Sequence, residues 1–453
     1  MANQSLLTYN AKVAQVEQAY FAPTAVLPVT GTPISTIFAI LSRVLPWNDD
    51  LNPPAPTQDQ AYIKSVFANM FVAKQILSNN ISPVIQRIDW ISGTSYDFYQ
   101  DNVDMFAKDA NGFLVYEFYV RNRYDQVFKC LWNNNGSQST VEPFFKPGNY
   151  GSNNIFQDVD GYKWKYMFTI DVGSKKTFMD FTWIPVPVGQ NTPNPITNTA
   201  GYGDIEVINV TNGGSGYPMD GSVSVVITGD GINAAATPTI VGGVITDITV
   251  NNTGTSYSNA TVSIVSTSGA NATAIAPTSP IGGHGFDPVS ELGCSNVMFT
   301  TEFNGSENGL IPTDIDYRQV GILINPTAQS VTPSPANGSI YKTSTDIVVA
   351  SGFGSYVPDE TFYQGATIDT ATFSATVLSF DSQNNVVKLI NTKGTPVTDT
   401  SGYGNTTKTT RTVLGISYPD FVPYSGYLAA IQNRSAVTRS PDGIEQFKFV
   451  LGY

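Results

Sequence analysis

Apolar and polar positions along this chain follow several rhythms. Tyr9 to Phe21 carries Val13, Val16, Ala19 and Tyr20 at helical spacing and then meets Pro23, which predicts a short helix running into a loop. From Ile34 to Leu41 the run Ile-Ser-Thr-Ile-Phe-Ala-Ile-Leu is apolar and β-branched, so it predicts a buried strand, closed by Pro46-Trp47 and the proline-rich stretch Pro53-Pro54-Ala55-Pro56. After Thr57 as N-cap, with Gln60 completing a capping-box spacing, Ile63, Val66, Phe67, Met70, Phe71 and Leu77 share one helical face. That spacing predicts a helix near 59–78 with a core-packing stripe.

From Phe98 to Pro187 the rhythm changes to short, aromatic-rich runs: Gly112 to Tyr116, Val127 to Trp132 and Tyr162 to Ile170. Turn clusters bound them, such as Asn133-Asn134-Asn135-Gly136 and Asp158-Val159-Asp160-Gly161, and together they predict a sheet or sandwich core. Period-two alternation puts Tyr162, Trp164, Tyr166 and Phe168 on one face of the third run and Lys163, Lys165 and Met167 on the other.

Between about 203 and 280 aromatics nearly vanish and the chain repeats itself. Ile208-Asn209-Val210-Thr211-Asn212-Gly213-Gly214-Ser215-Gly216-Tyr217 returns as Ile248-Thr249-Val250-Asn251-Asn252-Thr253-Gly254-Thr255-Ser256-Tyr257, and Ser222 to Val225 returns as Thr261 to Ile264. A period of roughly forty residues with several short strands predicts a duplicated β module. The earlier style resumes at Val297 to Asn325, where Tyr317 to Asn325 reads as a strand stopped by Pro326. A second low-aromatic stretch follows over 331–419, with Phe373 to Phe380 and Val386 to Ile390 flanking a hairpin loop at 381–385, and Gly426 to Tyr453 supplies closing strands. The predicted class is mainly β: a β-sandwich body with a few short helices, interrupted by two small inserted β domains. The body is read in 1–200, 291–330 and 420–453, the inserts in 201–290 and 331–419.

Composition supports this reading. Charged residues are 13% of the 453, about half the usual share, so the chain lacks the Lys, Glu and Arg that coat helices, while 41% hydrophobic residues supply real cores. Such a length suggests two to four domains. A net charge of −13 repels phosphate backbones and argues against nucleic acid as a partner. No apolar run reaches the roughly 18–20 residues that span a bilayer, and Met1-Ala2-Asn3-Gln4-Ser5 lacks signal-peptide character, so no membrane is expected and assembly in a cytoplasm is. Cys130 and Cys294 are too few for a disulfide framework and read as buried thiols.

Candidate chemistry is sparse. The single histidine, His284, sits in Gly282-Gly283-His284-Gly285 and reads as part of a flexible glycine loop; it has no visible company for a zinc site, and no Gly-x-Ser-x-Gly elbow accompanies it. Asp49-Asp50 and Asp314/Asp316 could serve acid/base work only at a defined separation and read as turn residues. Gly203-Asp204, Asp220-Gly221 and Gly229-Asp230-Gly231 lack the dense Asp/Asn alternation of calcium loops. No phosphate-binding loop or dinucleotide fingerprint is present. No catalytic, cofactor-binding or metal-binding residue is assigned, and the expectation is a protein without enzymatic activity or cofactor.

An ordered set of blocks resembles the baseplate wedge protein encoded by gene eight of T4-like contractile-tailed phages. The blocks are Thr36-Ile37-Phe38 through Pro46-Trp47; Ile85-Gln86-Arg87-Ile88-Asp89-Trp90; Phe128-Lys129-Cys130-Leu131; Asp160 to Phe168; Tyr317-Arg318-Gln319-Val320 through Asn325-Pro326; and Ser425-Gly426 through Asn433-Arg434. Together they cover about 1–200, 294–330 and 420–453. The resemblance implies a β-sandwich body, a homodimer, other baseplate wedge proteins as partners, and a place in the virion within each of six wedges, where the subunit supports baseplate assembly and its change of shape at infection. It implies no catalytic residues. The inserts at 201–290 and 331–419 depart from the family pattern. An alternative is a tail protein that binds host glycan through the 201–290 repeat, whose stacking aromatics would be Tyr202, Tyr217 and Tyr257.

Overall fold

The structure, a computed structural model, describes residues 8–21, 35–42, 45–148, 153–188, 203–330, 332 and 334–453. Met1 to Ser5, Pro23, Ile34 and Tyr202 lie outside them. The fold is mainly β, as composition and periodicity predict, with four short α-helices among the described residues. Two compact units form: one from Met1–Glu17, Ser82–Met298 and Gly452–Tyr453, the other from Gln18–Ile81 and Phe299–Leu451.

The first unit is built on a four-stranded antiparallel sheet ordered Tyr119–Arg121, Gln126–Trp132, Lys163–Thr169, Ile155–Gln157. Its register sets Phe128 opposite Tyr166 and Cys130 opposite Trp164, giving one aromatic face. Trp164 stacks on Tyr162 at 5.4 Å, and Tyr166 stacks on Phe145 at 4.1 Å. The turn before the third run is organised by Asp160, whose Oδ2 accepts the backbone N–H groups of Thr140 (2.8 Å) and Val141 (3.0 Å). Every residue of Gln126–Trp132 is buried, and so is every residue from Lys163 to Phe168. Both faces of the sheet are therefore covered, the lysine face included.

That second face meets the duplicated module, which has three strands in each repeat. They are Asn209–Ser215, Ser224–Gly229 and Ile232–Val241 in the first, and Val244–Thr255, Ala260–Val265 and Ala270–Ile275 in the second. No strand pairs within its own repeat. The two middle strands pair with each other, and the third strand of each repeat pairs with the first strand of the other. A bridge between the equivalent residues Ile208 and Ile248 marks the pseudo-two-fold centre. Its symmetry extends to detail: Tyr217 N–H donates to Gly243 O and Tyr257 N–H to Gly203 O, while the two hydroxyls accept from Ala272 N (3.1 Å) and Ala234 N (3.4 Å). The core of Ile205, Ile208, Val223, Ile245, Ile248 and the two tyrosines exists only when both repeats are present.

In the second unit a five-stranded sheet is ordered Ile340–Lys342, Met70–Ile76, Ile37–Ser42, Asp316–Ile324, Tyr427–Thr438. Phe38 packs edge to face against both Tyr341 and Phe421 at its core. The same unit holds a closed six-stranded barrel of Thr345–Val349, Val386–Gly394, Phe373–Asp381, Thr361–Gln364, Ser401–Gly404 and Thr410–Ser417, filled by Ile347, Phe362, Phe373, Val377, Leu389 and Val413. Its hairpin turns at 381–385, where Asp381 accepts from Gln383 N and Asn384 N.

Three expectations are corrected. The helix predicted near 59–78 is Gln60–Asn69 only, and Met70–Ile76 is a central strand paired with Ile37–Ser42 and Ile340–Lys342. Met70, Phe71 and the residues after them satisfy a strand as well as a helical stripe, and two hydrogen-bonding neighbours decide between them. Its N-cap is Asp59, which accepts from Tyr62 N at 2.8 Å, while the Thr57 hydroxyl donates to that same carboxylate. Gly112 to Tyr116 is no strand: Asp109 holds the N–H groups of Asn111 and Phe113 in a tight turn, and Phe113 and Val115 are exposed. The third correction, His284, is part of the site below.

The interlocked pairing makes a sharp prediction. Gly214 (φ +60°) and Gly254 (φ +64°) are symmetry mates, and a Cβ on either would lie about 2.6 Å from backbone nitrogen of the partner strand, at Ala272 and Ala234 respectively. Gly242 has a similar φ but open space. Gly214→Ala and Gly254→Ala should each cost about 3 kcal/mol or more in urea denaturation and match one another, whereas Gly242→Ala should cost only the roughly 1–2 kcal/mol of left-handed backbone. Unequal effects at the two mates would contradict the symmetry.

Candidate functional site: a sealed lysine face

The sheet register places Lys129 directly opposite Lys165. Like charges in that position are about 5 Å apart at Cβ and repel. Both side chains are fully buried, so water cannot screen them. The fold answers with two buried carboxylates, Glu206 from the start of the duplicated module and Glu291 from the short helix Pro288–Glu291 that follows it.

Asp287 caps that helix by accepting from Val289 N (3.1 Å) and Ser290 N (3.3 Å). Glu291 turns back over the cap. Its Oε1 accepts from Gly285 N (2.7 Å) and Asp287 N (3.1 Å), and its Oε2 lies 3.1 Å from Lys129 Nζ. Glu206 Oε2 accepts from His284 N (2.6 Å) and Ser279 Oγ (2.9 Å). Tyr99 lies beneath the amine, its ring centre 4.1 Å from Nζ, and donates its hydroxyl to Thr278 O. Lys165 Nζ donates to Asn153 O, and the neighbouring Lys163 reaches Ile208 O (2.9 Å) and Asp247 Oδ1 (2.8 Å) in the module. Asn209 Nδ2 adds a bond to Leu131 O.

His284 is wholly buried here, which overturns its reading as part of a flexible loop. Its Nδ1 lies 3.1 Å from Lys129 Nζ and its ring meets Tyr99 edge to face at 5.0 Å. An ammonium only donates, so Nδ1 accepts and the ring proton is assigned to Nε2, which has no partner among the described residues. Burial first, then Lys129 and Lys165, holds the imidazole well below its ordinary range. Burial likewise lowers Lys129, opposed by Glu291 and Glu206, and lowers Lys165. Tyr99 is pushed up by burial and then by Asp101 and Glu291. With all these groups sealed, the cluster can clamp the module and exchange protons internally, but a diffusing substrate has no access to it.

The remaining candidates stay apart from this cluster. Asp50 forms a fork with Arg318 (Nε 3.1 Å, Nη2 2.8 Å), Asp316 lies 3.7 Å from that guanidinium, and Asp49 holds the turn at Leu51 and Asn52. Asp314 lies in a left-handed turn, its N–H donating to Arg439 O. Asp220 and Asp230 accept backbone N–H groups from Ser222 and Ser258, and the Ser258 hydroxyl, then its N–H, holds Asp230 down to about 2. Asp204 is buried and accepts from Thr253 Oγ1. Among the described residues no three His, Cys, Asp or Glu side chains group as metal ligands. Cys130 and Cys294 are buried, as expected, and burial pushes Cys294 up to about 12. Tyr217 and Tyr257 lie in the module core with their hydroxyls engaged, so neither offers a face for sugar stacking.

Lys129, Lys165, Glu206 and Glu291 carry no recognisable motif. The available signal was a lysine inside the otherwise apolar run Val127-Phe128-Lys129-Cys130-Leu131-Trp132, which obliges a buried partner. No protein-family model matches the chain, and no curated protein does. No helix among the described residues is long and apolar enough to cross a membrane.

Two outcomes follow. Lys129→Met leaves Glu291 buried and unpaired and should cost about 3–5 kcal/mol in chemical denaturation, while adding Glu291→Leu should recover part of that loss. The folded imidazole of His284 refuses a proton that the unfolded chain accepts below about pH 6.5, so its contribution to stability is present above that pH and lost as pH falls. His284→Asn keeps an acceptor toward Lys129 without titrating. The gap in denaturation midpoint between about pH 7.5 and pH 5 should therefore narrow in this variant; an unchanged gap would clear His284 of the effect.

Proposed function

We propose that this chain is a structural subunit of a contractile phage tail, a baseplate wedge protein that binds neighbouring wedge proteins and a second copy of itself. The observation that carries the reading is where the resembling blocks lie. Within the second unit, Ile37–Ser42, Asp316–Ile324 and Tyr427–Thr438 are adjacent strands of one sheet although long stretches of chain separate them. Asn325 Oδ1 accepts from Thr36 N (2.8 Å), and Trp47 Nε1 donates to Arg434 O (3.1 Å), so residues of three blocks bond one another. Within the first unit, Phe128 to Leu131 and Asp160 to Phe168 form the central pair of the aromatic sheet, and Arg87 is bound to Asp89, which also pairs with Arg121.

The stretches without resemblance contain the duplicated module and the closed barrel, each with a core of its own. Sealing of the Lys129–His284–Glu291 cluster agrees with a role that needs no turnover.

Position in a particle is the test. Mass spectrometry of purified contractile tails should find the chain, and cryo-electron microscopy should place it in the baseplate. A chain missing from such tails, and monomeric when mixed with the other tail proteins, would overturn the proposal.

A further inference from the structure

The Lys129–Glu291 contact has more chemistry around it than an ion pair requires. A primary amine with no exposure to solvent lies 3.1 Å from one oxygen of a buried carboxyl group. The other oxygen of that carboxyl is met by two backbone donors, Gly285 N–H and Asp287 N–H, which is how an oxyanion hole is built. An imidazole nitrogen, His284 Nδ1, lies 3.1 Å from the amine and 3.9 Å from Oε2, the carboxyl oxygen that faces the amine. Nucleophile, electrophile, oxyanion donors and a proton carrier are thus assembled among buried side chains.

We infer that Lys129 and Glu291 condense into an intramolecular isopeptide bond between Lys129 Nζ and Glu291 Cδ, releasing one water. One proton passes from the Lys129 ammonium to Glu291 Oε2 within the pair, leaving a neutral amine and a carboxylic acid. The Nζ lone pair attacks Cδ, a C–N bond forms, and the carbonyl electron pair moves onto Oε1, where the two N–H groups stabilise it. His284 Nδ1 takes a proton from the attacking nitrogen and delivers it to Oε2. The Cδ–Oε2 bond breaks, Oε2 leaves as water, and the carbonyl reforms at Oε1. One amine and one carboxylic acid give one amide and one water, with no change of oxidation state and no co-reactant.

Condensation also relieves a local cost. Two buried charges become a neutral amide, while Lys165 keeps Glu206 as its nearby carboxylate partner. The link joins the strand Gln126–Trp132 to the helix that follows the duplicated module, closing the chain across the whole 203–280 stretch. It stands independently of the assembly reading.

The experiment is the intact mass of the purified, folded full chain. It should fall about 18 Da below the value calculated from its sequence, and tandem mass spectrometry of a digest should show a branched peptide joining Lys129 to Glu291. Lys129→Ala and Glu291→Ala should show their full calculated masses. Glu291→Gln should lose ammonia instead, about 17 Da. His284→Phe leaves both reacting groups in place and removes the proton carrier, so its mass loss should be much slower. Should any variant fail to fold, the wild-type measurement still decides. A wild-type chain holding its full mass after several days at neutral pH overturns the inference, as does a loss of water mapped to other residues.

Discussion

Two lysines facing each other across the strands Gln126–Trp132 and Lys163–Thr169 are the constraint around which the first unit is organised. A sheet can hide Trp164 and Tyr166 against other rings, but it cannot hide Lys129 and Lys165 without importing negative charge. Glu206 and Glu291 bracket the duplicated module in sequence, one where it begins and one just after it ends. Neutralising the lysines therefore fastens both ends of the insert to the sheet. Asp247, inside the module, fastens its middle through Lys163. An all-apolar face could have bound a module of the right shape in many registers; the directed pairs Lys129–Glu291 and Lys163–Asp247 select one.

The module shows why the duplication is structural rather than decorative. Because each repeat pairs only with its counterpart, a single copy would expose unpaired edges on all its strands and would have half a core. The barrel in the second unit solves the same edge problem by closure, with every strand paired on both sides. In that unit the outermost strand of the open sheet, Tyr427–Thr438, is partly covered by the residues around Trp47 and Pro54, which bond Arg434 and Asn433. Inserts that complete their own cores and edges can be carried by a body without disturbing its pairing, as an assembly subunit with added surface would require.

Much of this was legible in the chain. The strands at Tyr162 to Ile170 and Tyr317 to Asn325, the hairpin around 381–385 and the buried thiols follow from local pattern, because period-two alternation and turn chemistry act over a few residues. Met70–Ile76 was not legible, since its apolar residues suit a helix and a strand alike and the partners that decide lie roughly 30 and 270 residues away. Gly112 to Tyr116 failed for the opposite reason: the side chains suit a strand, but Asp109 captures the backbone first. His284 looked like loop because glycines surround it, yet those glycines let the backbone bend close enough for its ring to reach Lys129.

By itself the sequence determined the mainly β class, the internal duplication and the two-faced character of the aromatic sheet, because each is written in residue spacing. Whether the lysine face would meet water or protein lay beyond it. Only the tertiary structure decided that, by folding Glu206, His284 and Glu291 over Lys129 and Lys165 from positions 41 to 162 residues away in the chain. Spacing carries information along a strand, but the sign and partner of a buried charge are properties of what the chain later lays across it.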